Sequence, residues 1–338
     1  MSLYCGIDLH STNSFVAVAD EQDQVVLAKR LPNRLEVILR ELEPVREEIA
    51  GLAVESTFNW YWLVDGLMDA GFQVHLVNTF AAQQYAGLKY SDDRSDARWL
   101  AHLLRLGVLP EGYIYPREDR AVRDLLRQRC RLVRQRTANR LVLQNLLVRN
   151  TGKLIKGNAL KKLTLDKLQQ ITDNEHLMLA LDTTYQVIEA LEPQIERLEK
   201  AILAQGKLRP EFRILQTIRG VGETLALTIM YETGDIRRFR RVGQYASYCR
   251  CVRSERLSNG KRKGEGQRKN GNPYLSWAFH EAAHFAVRFQ PAAKRFYERK
   301  RARTNAIVAI RALAHKLARA TYFMLRDQKA YDPALLFR

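Results

Sequence analysis

"LYCGIDLH" (residues 3–10), "SFVAVAD" (14–20) and "QVVLAKRL" (24–31) follow one another with only short polar stretches between them. Each is a short run rich in β-branched and small apolar residues, bounded by turn formers, and together they predict three strands of a meander. Outward from this start, Arg34 to Ile49 carries a helical pattern and "GLAVES" is a short apolar run with Glu55 at its end. Trp60 to Ala70 is helical again, "FQVHLV" is a further strand, and a helix opens near Asp93. A meander followed by alternating helices and strands predicts a mixed sheet with helices packed on it.

The character changes from Pro116 to Asn150, where Leu and Val recur at three- and four-residue spacing and arginines fill the other faces. Gly152 to Asn158 breaks the pattern beside a run of lysines, and helical periodicity returns from Leu177 to Leu203. Two long helices around a basic break predict an antiparallel helical or coiled-coil arm. The arginine run contains few glutamates, which favours phosphate contact by Arg127, Arg131 and Arg134 over a merely solvated face.

Beyond Pro210, Ile218-Arg219-Gly220-Val221-Gly222 ahead of a helical pattern has the form of a helix-hairpin-helix. In that motif glycines permit a tight turn that offers backbone N–H groups to a phosphate. A Gly/Asn/Lys/Arg loop follows, carrying Lys261, Arg262, Lys263, Arg268 and Lys269. Asn272 and Pro273 then supply an N-cap and first position for a helix from Tyr274 to Phe289. A final helix is expected from Thr304 to Arg326, and Cys249 and Cys251 read as alternating residues of a strand. The division expected is 1–112, 113–206 and 207–338.

Composition narrows the partners. Lys and Arg number 55 against 37 Asp and Glu, a formal net charge of +18, which favours a polyanion such as nucleic acid. Four cysteines in no paired pattern predict reduced thiols. The N-terminus reaches Asp8 before any apolar run forms, so neither a signal peptide nor a membrane span is expected, and a cytoplasmic, nucleoid-associated protein is.

Against that charge, "SDDRSD" at 91–96 crowds three carboxylates ahead of an amphipathic helix. Such crowding destabilises unless something positive sits among them. Asp8 and Glu55 each end an apolar run, and Asp93 and Asp96, three apart at a helix start, project from one face. Strand ends and one helical turn can meet at a sheet edge, and four oxygen donors there suit Mg²⁺ or Mn²⁺. Two such ions about 4 Å apart would stabilise the entering and leaving oxygens of phosphodiester transfer. Asp92 competes for the third place; the spacing to Asp96 favours Asp93.

G-I-D near the start, V-E-S after a later strand and D-R-S-D-A opening a helix resemble the DEDD transposases of bacterial insertion sequences, a group that includes the pilin-gene-inverting recombinases. The resemblance continues through I-R-G-V-G, "FRRVGQYASYC" and the "SNGK…KNGNPYL" loop, nearly the whole chain. It implies a RuvC-like, ribonuclease H-type N-terminal domain, a helical arm and a mostly helical C-terminal transposase domain with a nucleophilic serine. The implied metal tetrad is Asp8, Glu55, Asp93 and Asp96, and the serine is Ser258, with Ser254 the other possibility. Asn259 departs from the glycine that often follows that serine. The resemblance further implies a structured non-coding guide RNA, DNA at element ends and target, a homo-oligomer (dimer or tetramer), and strand transfer through phosphoserine.

Two other classes compete. A RuvC-like nuclease would share the tetrad but attack with water. His280-Glu281-Ala282-Ala283-His284 matches H-E-x-x-H, the signature of zinc peptidases. That motif has no evident third ligand, and a strongly basic charge serves peptide hydrolysis poorly.

Overall fold

Alternation along the first strand gives the N-terminal unit two different faces. In the computed structural model, which describes residues 2–82, 92–152, 154–155, 157–252, 255–264 and 270–337, β1 (Leu3–Leu9) pairs antiparallel with β2 (Asn13–Ala19), and β2 with β3 (Val25–Pro32). After α1 (Leu35–Leu42), β4 (Ile49–Glu55) lies parallel to β1; after α2 (Tyr61–Asp69), β5 (Val74–Val77) lies parallel to β4. The sheet order is β3-β2-β1-β4-β5, the mixed sheet expected from the meander. A short α3 (Thr79–Ala82) follows, then α4 (Asp93–Arg105). The helix expected from Arg34 to Ile49 stops at Leu42. Pro44 lacks an N–H for a continuing helix, and Glu43–Glu48 tightens into a 3₁₀ turn.

One face of the sheet is apolar and bulky: Leu3, Cys5, Ile7, Leu9, Val16, Val18, Leu52 and Val54 are buried with Ile38, Leu42, Leu63 and Leu67 from α1 and α2. The other face is small. Gly6 pairs with Ala17 on β2 and with Ala53 on β4, forming a row of residues with little or no side chain across three strands. Here α4 lies directly on the sheet: a Cβ on Gly6 would come within 2.0 Å of the Ala97 carbonyl oxygen and 2.6 Å of the Ala101 nitrogen. Only glycine admits a helix backbone this close.

The chain forms two compact units, Met1–Arg117 and Glu118–Arg338. The second is dominated by α5 (Arg117–Thr151), whose first residue ends the N-terminal unit, and by α8 (Glu175–Gly206), with short α6 (Gly157–Lys161) and α7 (Leu165–Gln169) between. Leu181, Ile188, Ile195 and Ile202 are buried along α8 at seven-residue intervals, the spacing of a coiled-coil seam. Leu143 and Leu147 of α5 join Leu181, Ile188 and Leu168 in one apolar cluster.

Next come α9 (Pro210–Gln216), α10 (Glu223–Thr233) and α11 (Val242–Tyr248). Cys249 caps the C-terminus of α11 and is buried, while Cys251 lies beyond it; they do not lie in a strand, correcting that expectation. The Gly/Lys/Arg segment contains a hairpin of β6 (Arg256–Ser258) and β7 (Lys261–Gly264). Asn259 and Gly260 between them have φ of 49° and 69°, as a two-residue type I′ turn requires. α12 (Pro273–Phe289) begins as expected, with the Asn272 side chain accepting from Tyr274 N and Leu275 N. An additional helix, α13 (Pro291–Arg303), precedes α14 (Ala306–Asp327), and α15 (Pro333–Leu336) ends the fold. Asn305, capping Val308 N at 2.9 Å, separates α13 from α14, so the last long helix starts later than Thr304.

Candidate active site

The row of small residues leads straight to the acids. Ile7 pairs with Val54, which makes Asp8 and Glu55 the next step along the ladder, on the face where α4 lies. Asp8 is 4% exposed, and its carboxyl hydrogen-bonds with that of Glu55. At the start of α4, Asp92 and Asp93 separate by role. Asp92 is the N-cap: its Oδ1 accepts from Ser95 N at 2.7 Å, and the Ser95 hydroxyl oxygen accepts from Asp92 N at 2.8 Å, a reciprocal capping box. These bonds lower the Asp92 pKa. Asp93, the first helical residue, turns toward Asp8.

Between the two carboxylates lies His10, which the sequence reading passed over. Its Nε2 is 3.1 Å from Asp8 Oδ2 and 3.2 Å from Asp93 Oδ1. The other Asp93 oxygen accepts from Arg30 of β3 at 2.5 Å. Burial first, then the bond to Asp8 and the charges of Asp8 and Asp96, push the Glu55 pKa up to about 8. The Asp96 pKa is also raised, by burial and then by the charges of Asp8, Asp93 and Asp92. Asp8, Glu55, Asp93 and Asp96 therefore share one electrostatic neighbourhood.

Asp8, His10 and Asp93 each offer one ligand atom, all within 4.8 Å of one another, and they are the group of this kind found among the described residues. The set fits a divalent cation. Oxygen donors dominate, the carboxylates repel without a cation, and His10 Nε2 is buried with no aligned hydrogen bond. His280 and His284 form no comparable group with Glu281 and a third ligand among the described residues. The Nδ1 of His280 is bonded to the Ser276 carbonyl at 2.7 Å, and His284 is exposed.

Ser258 is the last residue of β6, exposed and paired across the hairpin with Lys261, while Lys263 is exposed on β7. The side chain of Arg262, and all of Ser254, Arg268 and Lys269, lie outside the described residues. At the helix-hairpin-helix turn, Gly220 has φ +96°, and a Cβ there would meet Phe285 Cβ at 2.6 Å. Gly222 caps α10, and Arg219 is exposed. Arg131 and Arg134 are exposed, but Arg127 is not on the same footing. Its guanidinium donates to both oxygens of buried Glu232, at 2.7 and 2.8 Å, and lies 4.9 Å above the Tyr274 ring. Arg129 pairs with Glu199, and Arg136 and Arg140 with Glu192. The compensating acids missing from the local sequence are supplied by α8 and α10.

Comparison with known proteins carries this geometry to a family. The signature of the DEDD-type IS110 transposases matches residues 5–150, and that of the "Transposase IS116/IS110/IS902 family" matches residues 212–298. A "Probable family 20 transposase" of Pseudomonas aeruginosa is 26% identical over 97% of this chain and 98% of its own length. The transposase of insertion sequence element IS1111A from Coxiella burnetii is 25% identical over 81% of this chain and 76% of its own length. An IS110 protein of Streptomyces coelicolor is 28% identical over 42% of this chain and 36% of its own length. The two domains thus define a transposase of the DEDD class. The chain belongs to the IS110-type transposases of insertion sequences. It is an enzyme that acts on DNA, and the DEDD class implies use of a divalent metal. Among the described residues no helix is long and apolar enough to cross a membrane.

Proposed function

We propose that this transposase cuts and rejoins DNA through a phosphoserine intermediate formed by Ser258, with Asp8, Glu55, Asp93 and Asp96 as its metal-binding tetrad. The single observation that carries it is the convergence of acids from two strand ends and one helix start around buried Asp8. These four residues would hold Mg²⁺ or Mn²⁺, which when bound would neutralise charge developing on the scissile phosphate. Asp8 and Glu55 anchor the site to the sheet, and α4 brings Asp93 and Asp96 to it. Ser258 Oγ supplies the nucleophile: it bonds to phosphorus as the P–O bond to one sugar oxygen of the DNA breaks. The serine proton passes to solvent and the sugar oxygen leaves as a free hydroxyl, so one P–O bond replaces another and the energy of the cut is conserved for rejoining without ATP.

The tip of β6 suits this role sterically, since the type I′ turn leaves Ser258 exposed opposite the lysine-bearing strand β7. Exposed Arg219 at the glycine turn and Arg131 and Arg134 on α5 supply phosphate contacts to DNA, and Lys261 and Lys263 to the strand being cut. Recognition is assigned to a structured non-coding RNA encoded beside the gene, and catalysis to a homo-oligomer, on family resemblance and basic charge.

The test is a denaturing gel of full-length protein incubated with Mg²⁺, the flanking RNA and labelled junction DNA. A covalent protein–DNA adduct is expected for wild type, and its loss in Ser258→Ala and Asp93→Ala. Asp8→Asn should lower cleavage by at least roughly a hundredfold. DNA cut without an adduct in any lane would make water the nucleophile and the chain a RuvC-like nuclease.

A further inference from the structure

We propose that His10 is itself a ligand of the catalytic metal, placing one imidazole nitrogen in an otherwise all-oxygen donor set. This rests on Asp8 and Asp93 being metal ligands. Three observations converge on it.

The first is spacing. Cis ligands of an octahedral ion with bonds near 2.1 Å stand about 3.0 Å apart. His10 Nε2 lies 3.1 Å from Asp8 Oδ2 and 3.2 Å from Asp93 Oδ1, close to two such edges sharing one corner. The second is the lack of another role for that atom. Nε2 is buried and makes no aligned hydrogen bond, although two carboxylate oxygens are within reach. An imidazolium acting only as a counter-charge would be expected to aim its N–H at one of them.

The third is preorganisation. The His10 carbonyl accepts from Asn33 Nδ2 at 2.8 Å and from Asn59 Nδ2 at 3.0 Å, and its N–H donates to Asn13 O at 3.0 Å. One backbone unit just beyond β1 is thus held by three asparagines from three separate segments. Such rigid support befits a residue whose side chain must arrive at a fixed point.

An imidazole donor ranks Mn²⁺ and later ions above Mg²⁺ more strongly than carboxylates alone do. The inference is therefore one of metal preference as well as ligation.

The experiment uses full-length protein titrated with Mn²⁺ alone, read by electron spin-echo envelope modulation for ¹⁴N coupling and by calorimetry for Mn²⁺ and Mg²⁺ affinity. Wild type, His10→Gln, His10→Ala and Asp8→Asn are compared, with thermal unfolding confirming that each is folded. Wild type should show nitrogen coupling that both His10 variants lose. Mn²⁺ affinity should fall at least about tenfold in His10→Ala, with Mg²⁺ affinity falling less. Saturable Mn²⁺ without nitrogen coupling in wild type, or coupling that persists in both His10 variants, overturns the role of His10 and leaves the carboxylate centre standing. No saturable Mn²⁺ in wild type, or binding unchanged in Asp8→Asn, overturns the carboxylate centre and His10 with it.

Discussion

Glu55 makes the site sensitive to pH in a direction opposite to that of an ordinary surface carboxylate. Folding raises its pKa from the usual range near 4.3 to about 8, so between those values the folded chain holds a proton that the unfolded chain has released. Stability of the metal-free protein therefore falls as pH rises through that window and levels off above it. Asp96, also raised, acts in the same sense. Thermal unfolding in EDTA from pH 5.5 to 9 should show this decline, and Glu55→Gln should flatten it. On the proposed role of Glu55 as a ligand, which must be deprotonated to bind, metal uptake at pH 7 should release about one proton, absent in Glu55→Gln and measurable by calorimetry in buffers of different ionisation enthalpy.

At the scale of elements, the site depends on how closely α4 approaches β1. Gly6→Ala places a methyl against the backbone of Ala97 and Ala101, which cannot move aside without displacing the helix. A loss of about 1–3 kcal/mol is expected, together with loss of strand transfer, because Asp93 and Asp96 travel with α4. At the other end of the chain, buried Asn272 joins three elements. Its Oδ1 caps α12, and its Nδ2 donates to Glu232 at 2.7 Å, the acid that Arg127 also holds. Asn272→Ala should cost about 2–4 kcal/mol from the lost cap and the lost bond. Asn272→Asp keeps an equally good cap but sets a carboxylate against Glu232. It should therefore unfold well below wild type, isolating that contact in a denaturant titration.

These elements also show what the sequence made legible. The strands, the start of α4 and the Asn272-Pro273 cap could be read because their signals are local: alternation, a capping side chain, a fixed φ. Asp8 and Glu55 could be read because they end apolar runs. His10 could not, since nothing in "GIDLH" says that its ring turns back toward Asp8 and Asp93. The hairpin was signalled by Asn259-Gly260, but the surrounding lysines, arginines and glycines masked it as loop. The ion-pair partners of Arg127, Arg129, Arg136 and Arg140 could not be read, because they lie 52 to 105 residues away along the chain.

For the whole molecule, this pairing decides how a net charge of +18 meets nucleic acid. Arginines with internal partners hold helices together, and the proposed phosphate contacts fall to exposed ones. Replacing Arg131 and Arg134 with glutamine should weaken DNA binding across sequences and reduce the salt dependence by about two ions. Replacing Arg136 and Arg140 should lower the unfolding temperature and leave that slope nearly unchanged. The strict heptad of α8 gives the arm another property: it is a ruler with graduations. Each seven-residue step is about 10.5 Å long and returns the same apolar face to the same side. Deleting one whole graduation from both α5 and α8 should yield a shorter, folded arm. Deleting three residues between Leu181 and Ile202 would rotate the apolar positions on one side of the cut relative to those on the other and break their common seam. The length of this arm should thus be adjustable most cheaply in discrete units, with intermediate lengths costing local over- or unwinding of the helices.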